Sequence, residues 1–176
     1  KSENPSGVDG ISGATPATVR QAVVKDAAWT TWVLWQYANT EIAPILQATT
    51  EAHCTPAYIQ HMLESNDWRN IAFVLKYLLK QDTISSDYTM QVVQAMPTAD
   101  NDQIELALQY LQRAVADKNQ FHRLLIKTLP SLEEYHAVMT IEGLASDKAL
   151  ENDILVHLAG QFDKLTYYPI HLSLRL

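Results

Sequence analysis

The sequence predicts an all-α protein of stacked antiparallel helical hairpins, an α-solenoid or an irregular bundle, behind an extended N-terminal lead-in. Three observations point there. The chain has 176 residues and is 47% apolar, enough to bury a sizeable core. It holds only 5 Gly and 7 Pro, so long stretches run without a helix breaker. Apolar residues recur three and four apart, the spacing of one helix face, and helix-start signals return roughly every thirty residues. Roughly eight helices are expected.

Taken in order, Pro5, Gly7, Gly10 and Gly13 make residues 1–15 an irregular lead-in. Thr15 then caps a helix whose first residue is Pro16, a position where the missing N–H costs nothing. That helix is expected to reach Tyr37. Its centre, "AAWTTWVLW", is apolar on nearly all sides and is expected to be the most buried element. Residues 16–54 thus read as buried, aromatic-rich helices, the second running from Glu41 to Ala52 with Pro44 in its first turn.

From Thr55 to residue 166 the pattern repeats. Cap-like starts fall at Thr55-Pro56, Ser86-Asp87, near Lys118 and at Asp147. Ile71, Val74, Leu75 and Leu78 form one apolar stripe, and Ile104, Ala107, Leu108 and Leu111 another. A hairpin cannot bury both faces alone, so such units must stack. In period and pattern the region resembles a HEAT-type solenoid. The tail "YYPIHLSLRL", residues 167–176, alternates apolar and polar, which predicts an extended arm lying on the last helices or pairing with a partner.

Composition excludes several classes. The net charge is −7 and the 13 basic residues are scattered, which argues against nucleic acid and anionic membrane surfaces. The longest uncharged run, Ala27 to Thr40, is shorter than the roughly 20 residues a membrane span needs. The chain begins with Lys1 and reads as a processed or truncated product. Cys54 is the single cysteine and cannot close an internal disulfide. The histidines show no HxxxH or HExxH spacing, so no metal site is assigned. "ExxH" at Glu133 to His136 has the spacing of half a di-iron carboxylate site, but a second copy is missing. There is no P-loop, no dinucleotide-binding glycine pattern and no catalytic constellation.

One stretch carries a specific signal. In "DGISGAT", Asp9, Ser12, Gly13, Ala14 and Thr15 match position by position the flavin-attachment motif of the FMN-binding domain family, which the stretch resembles. That family includes subunits of the sodium-pumping NADH:quinone reductase. The resemblance implies FMN joined through its phosphate to the Thr15 hydroxyl by a flavin transferase, a role in electron transfer, and a periplasmic or cell-surface location. The local chemistry is compatible. Gly10 and Gly13 let the backbone turn, and Ala14 leaves room for a bulky group. A phosphate ester on Thr15 meets the free N–H groups at the start of the following helix. "CTPAY" at Cys54 to Tyr58 repeats Thr-Pro-Ala without the preceding "SGA", so the informative half of the motif is "DGISGA". Trp29, Trp32 and Trp35 read as core or solenoid-interface aromatics, with stacking on a flavin ring as the alternative. Two functions are therefore expected: electron transfer through FMN on Thr15, or a non-enzymatic helical scaffold that binds a protein partner and no cofactor.

Overall fold

The computed structural model describes residues 26–145 and 150–176. The motif from Asp9 to Thr15, the helix start at Pro16 and the cap at Asp147 lie outside the described residues. Every regular element among the described residues is helical. The chain divides into two compact units, Lys1–Cys54 and Thr55–Leu176.

In the first unit one unbroken helical run extends from Ala27 to Ala52. It comprises α1 (Ala27–Tyr37), a wider π turn (Ala38–Ile42) and α2 (Ala43–Ala52). Pro44 gives the π turn its reason. A proline inside a helix lacks the N–H for its ladder bond and crowds the carbonyl four residues back, and a locally widened turn relieves both. Side chains serve nearby carbonyls: Asn39 Nδ2 donates to the Trp35 carbonyl at 2.7 Å, and Thr40 Oγ1 to that of Gln36 at 2.9 Å.

The expectation of a buried aromatic centre fails here. Trp29 is 50% exposed, Trp32 49% and Trp35 63%, and no residue of α1 is buried. An all-apolar helix surface is a demand for neighbours, not a guarantee of them. The described residues of this unit supply no second element to close over it.

The second unit is a ladder of four hairpins. Its helices are α3 (Pro56–Glu64) and α4 (Trp68–Leu79), then α5 (Thr89–Ala95) and α6 (Asn101–Ala114). The third hairpin pairs α7 (Lys118–Thr128) with α8 (Glu134–Ala145), and the fourth α9 (Asn152–Ala159) with α10 (Tyr167–Ser173). Single 3-10 turns follow α5, α7 and, after a short gap, α9. The second helices start at residues 68, 101, 134 and 167, a constant step of 33 residues. They pack in sequence, α4 on α6, α6 on α8 and α8 on α10, while α3 meets α5 and α7 meets α9 in the facing layer.

The step is chemical as well as geometric. Ile71, Ile104, Ala137 and Ile170 share one register; Val74, Ala107, Thr140 and Ser173 share another, and the last four are all buried. The predicted stripes lie in the core, with Leu108 alone half-buried. Full burial of one such aliphatic side chain contributes about 1.5–3 kcal/mol.

Caps account for the boundaries. Thr55 Oγ1 accepts from the Tyr58 N–H at 3.2 Å, with Pro56 at the first helical position, as the sequence predicts. Asp67, Asp100 and Asp117 cap α4, α6 and α7 through their carboxylates. Asn66, between α3 and α4, holds φ 53°, a left-handed conformation that asparagine tolerates better than most residues.

Two boundaries differ from the sequence reading. The start expected at Ser86-Asp87 moves to Thr89, whose hydroxyl bonds the Ser86 carbonyl at 2.9 Å, because Tyr88 turns inward and occupies the cap position. The expected extended tail is α10, a helix over Tyr167–Ser173 packed on α8. Its alternation was real, but Ile170 and Ser173 sit three apart and suit the ridge offered by α8.

Candidate functional site

Side chains that tie successive hairpins together leave a groove across the second-helix layer. Trp68 Nε1 donates to Thr98 Oγ1 at 3.1 Å, Tyr110 donates from its hydroxyl to the Ser85 carbonyl at 2.7 Å, and Arg113 Nη1 caps the end of α4 at the Leu79 carbonyl at 2.7 Å. These contacts tie α4 and α6 to each other and to the segments that flank α5. The openings between them hold the groove.

Between α6 and α8 an open depression of about 530 Å³ is lined by Ala99, Asp100, Asn101, Asp102, Glu133 and His136. Between α4 and α6 a further 390 Å³ is lined by Lys76, Glu105 and Gln109 among others, and Asp100 and Asp102 belong to both. The two openings flank the start of α6, with Asp100 and Asp102 in the wall of both.

Its acidity has a structural origin. Asp67, Asp100 and Glu133 each stand immediately before or at the start of a second helix, one step of 33 apart. A carboxylate is favoured there by the free N–H groups and the helix dipole. Asp100 is committed to this task, in a capping box: its Oδ1 accepts from Gln103 N at 2.9 Å while Gln103 Oε1 accepts from Asp100 N at 2.8 Å. Asp102 and Glu133 have no basic partner among the described residues, and Glu105 accepts only from Gln109 Nε2 at 3.3 Å. Their negative field faces solvent along the groove.

His136 forms part of the floor. It is buried, and its Nε2 lies 3.1 Å from Asn101 Oδ1. An amide oxygen only accepts, so Nε2 carries the proton. His136 Nδ1 has no hydrogen-bond partner among the described residues. The Glu133 to His136 pair thus serves neighbouring structure: the histidine locks α8 to α6, and the glutamate faces the groove. No three His, Cys, Asp or Glu side chains among the described residues are grouped so as to hold a metal ion.

No family model, curated protein or solved structure matches this chain. The functional reading therefore rests on its own residues.

The remaining candidates belong to the first unit. Trp29 and Trp32 stack with ring centres 5.2 Å apart on the exposed face of α1. Cys54 is partly buried, with Sγ 3.4 Å from the Thr50 carbonyl; burial first, and the nearby Glu51 carboxylate second, push its thiol above the ordinary range and keep it protonated. None of the described helices is long and apolar enough to cross a membrane. Sequence reasoning singled out Glu133 and His136 for a metal spacing and passed over Asp100, Asp102 and Glu105. A step of 33 relates Asp100 to Asp67 and Glu133, though the fourth hairpin has Thr166 there, and no such recurrence marks Asp102 or Glu105.

Proposed function

We propose that this chain is a non-catalytic helical-repeat module for protein–protein interaction, and that its groove receives a Lys- or Arg-bearing segment of a partner. The observation that carries the reading is the pair of openings on either side of the start of α6, whose Asp102, Glu105 and Glu133 carboxylates lack basic partners among the described residues. A stacked array offers a rigid surface of this kind without a reorganisation cost on binding. The acidic balance of −7 favours encounter with a basic segment and opposes an acidic one. Fluorescence anisotropy with a labelled Lys/Arg-rich peptide tests it. Binding should weaken steeply with salt, and severalfold in the double variant Asp102→Asn, Glu133→Gln. Equal binding of a Glu-rich peptide of the same length, or no binding of either, would reject the groove as the recognition surface.

A second reading rests on a different observation, the match of Asp9, Ser12, Gly13, Ala14 and Thr15 to a flavin-attachment motif. On this reading the protein works in electron transfer, in the periplasm or at the cell surface, with FMN ester-linked to Thr15 by a flavin transferase. The half-exposed indoles of Trp29 and Trp32, downstream of the motif, offer an aromatic surface of the kind that stacks on a flavin ring. Intact mass and visible absorbance after co-production with a flavin transferase decide the matter. An unmodified product, or an adduct that survives Thr15→Ala, removes the assignment.

A further inference from the structure

We infer that the partner segment is an extended, proline-rich one, in which a basic residue is followed at every third place by a proline, and that Tyr135 and Tyr168 take the prolines. The inference rests on the basic-segment reading above and names what lies beside the charge. It comes from a row of side chains that stays open in every hairpin.

The second residues of the second helices are Arg69, Asp102, Tyr135 and Tyr168, one step of 33 apart. The Arg69 side chain is 90% exposed, Asp102 is exposed, and Tyr135 and Tyr168 are 60% and 65% exposed. The helices α6 and α8 have a neighbour on each side, so the row is open because it faces outward, whether or not the stack continues. Arg69 is engaged in an ion pair with Asp67 at 2.6 Å. Beyond it the row offers a carboxylate, Asp102, and then two phenol rings. Tyr135 borders the opening between α6 and α8: its ring meets that of His136 edge-on, with centres 6.4 Å apart, and His136 lines the opening. His136 is 5% exposed, and its Nδ1 has no hydrogen-bond partner among the described residues, so the wall beside the ring holds a polar atom the fold leaves unused.

Spacing selects the shape of the ligand. The second helices pack side by side, and equivalent residues on such neighbours stand about 8–10 Å apart. A polyproline helix has about three residues per turn at about 3.1 Å each, so every third side chain faces the same way about 9 Å on. A strand returns to the same face after about 6.6–6.8 Å and falls out of step. The rings agree with the spacing. An exposed tyrosine face packs against a proline ring, and such a segment is ordered before it binds. The Asp102 and Glu133 carboxylates then receive the basic side chain that precedes the prolines.

Fluorescence anisotropy with the full chain and two labelled peptides tests the proposal. One peptide carries a Lys-x-x-Pro-x-x-Pro core. The other has alanine at both proline places, which keeps the charge and favours a helix. The proline peptide should bind more tightly by roughly fivefold or more. Tyr135→Ala with Tyr168→Ala should erase that difference while circular dichroism and the unfolding midpoint stay unchanged, because both rings are exposed. Equal binding of the two peptides, tighter binding of the alanine peptide, or a proline advantage that survives the tyrosine pair overturns the inference and leaves the acidic openings as a site for any basic segment. Binding of neither peptide overturns both.

Discussion

Removing the Tyr110 hydroxyl should weaken the second unit at neutral pH and flatten its alkaline limb. Tyr110 is completely buried in α6, and its O–H donates to the Ser85 carbonyl at 2.7 Å, pinning the loop ahead of α5. Burial pushes its phenol up to about 12, against about 10 for an unfolded tyrosine. The folded state therefore holds this proton more tightly than the unfolded state does. The stability that follows is complete below about pH 10 and disappears as pH rises through about 12. Two pH units correspond to roughly 2–3 kcal/mol. At neutral pH, Tyr110→Phe deletes the hydrogen bond and should cost about 1 kcal/mol, since Ser85 is only half-buried and water partly replaces the donor. Urea unfolding followed by circular dichroism at about pH 7, 9 and 11 reads both effects. The wild type should be the more stable at the first two values, and its advantage should shrink or reverse at the third. Contributions common to both proteins cancel in the difference. A constant difference across all three values would refute the assignment of the alkaline limb to Tyr110.

Three further outcomes follow from packing and local electrostatics. Leu75→Ala should cost about 3 kcal/mol and Leu108→Ala about 1 kcal/mol, because the first side chain is fully enclosed and the second half-open; equal losses in urea unfolding would contradict the register assignment. Asp100→Ala opens both bonds of the capping box and should lower stability by about 1 kcal/mol, with Asp100→Asn recovering much of it; an unchanged midpoint for the alanine variant would show that the cap contributes nothing. Cys54 should alkylate more slowly than a model thiol at about pH 8, because its raised pKa leaves less of the reactive thiolate; labelling at or above the model rate, followed by mass spectrometry, would contradict the raised pKa.

What the sequence made legible divides along physical lines. Local signals were readable: Thr55-Pro56 marks a real cap, and the Ile71 to Leu78 stripe is a real core face. Those depend on bonding and periodicity within a dozen residues. The last ten residues illustrate ambiguity. "YYPIHLSLRL" satisfies a period of two, yet Ile170 and Ser173 also repeat the registers of Ile71 and Val74, and tertiary packing on α8 selects the helix. The aromatic run failed for a different reason. Its apolarity is intrinsic to α1, but burial is a property of two surfaces, and no stretch of one helix encodes where its partner is. The groove was harder still. Asp102 and Glu133 stand 31 positions apart, and nothing short of the step of 33 brings them to one opening. Glu133 and His136 have the spacing of half a di-iron site with no second copy in the sequence, and what the spacing could not supply is the histidine's partner, Asn101, which lies on another helix.

The uniform step of the second helices makes length itself a free variable of this protein. The main contacts of each hairpin are with its neighbours, so excising one whole step of 33 residues brings together two surfaces that already resemble the ones removed. Duplicating a step inserts a unit whose complement is present on both sides. The same deletion of 30 or 36 residues would rotate every downstream helix by most of a turn and set Ile170 or Ser173 against the wrong ridge. Shortening and lengthening of this chain are thus tolerated in quanta, and between the quanta a change in size that is small in mass is large in structure.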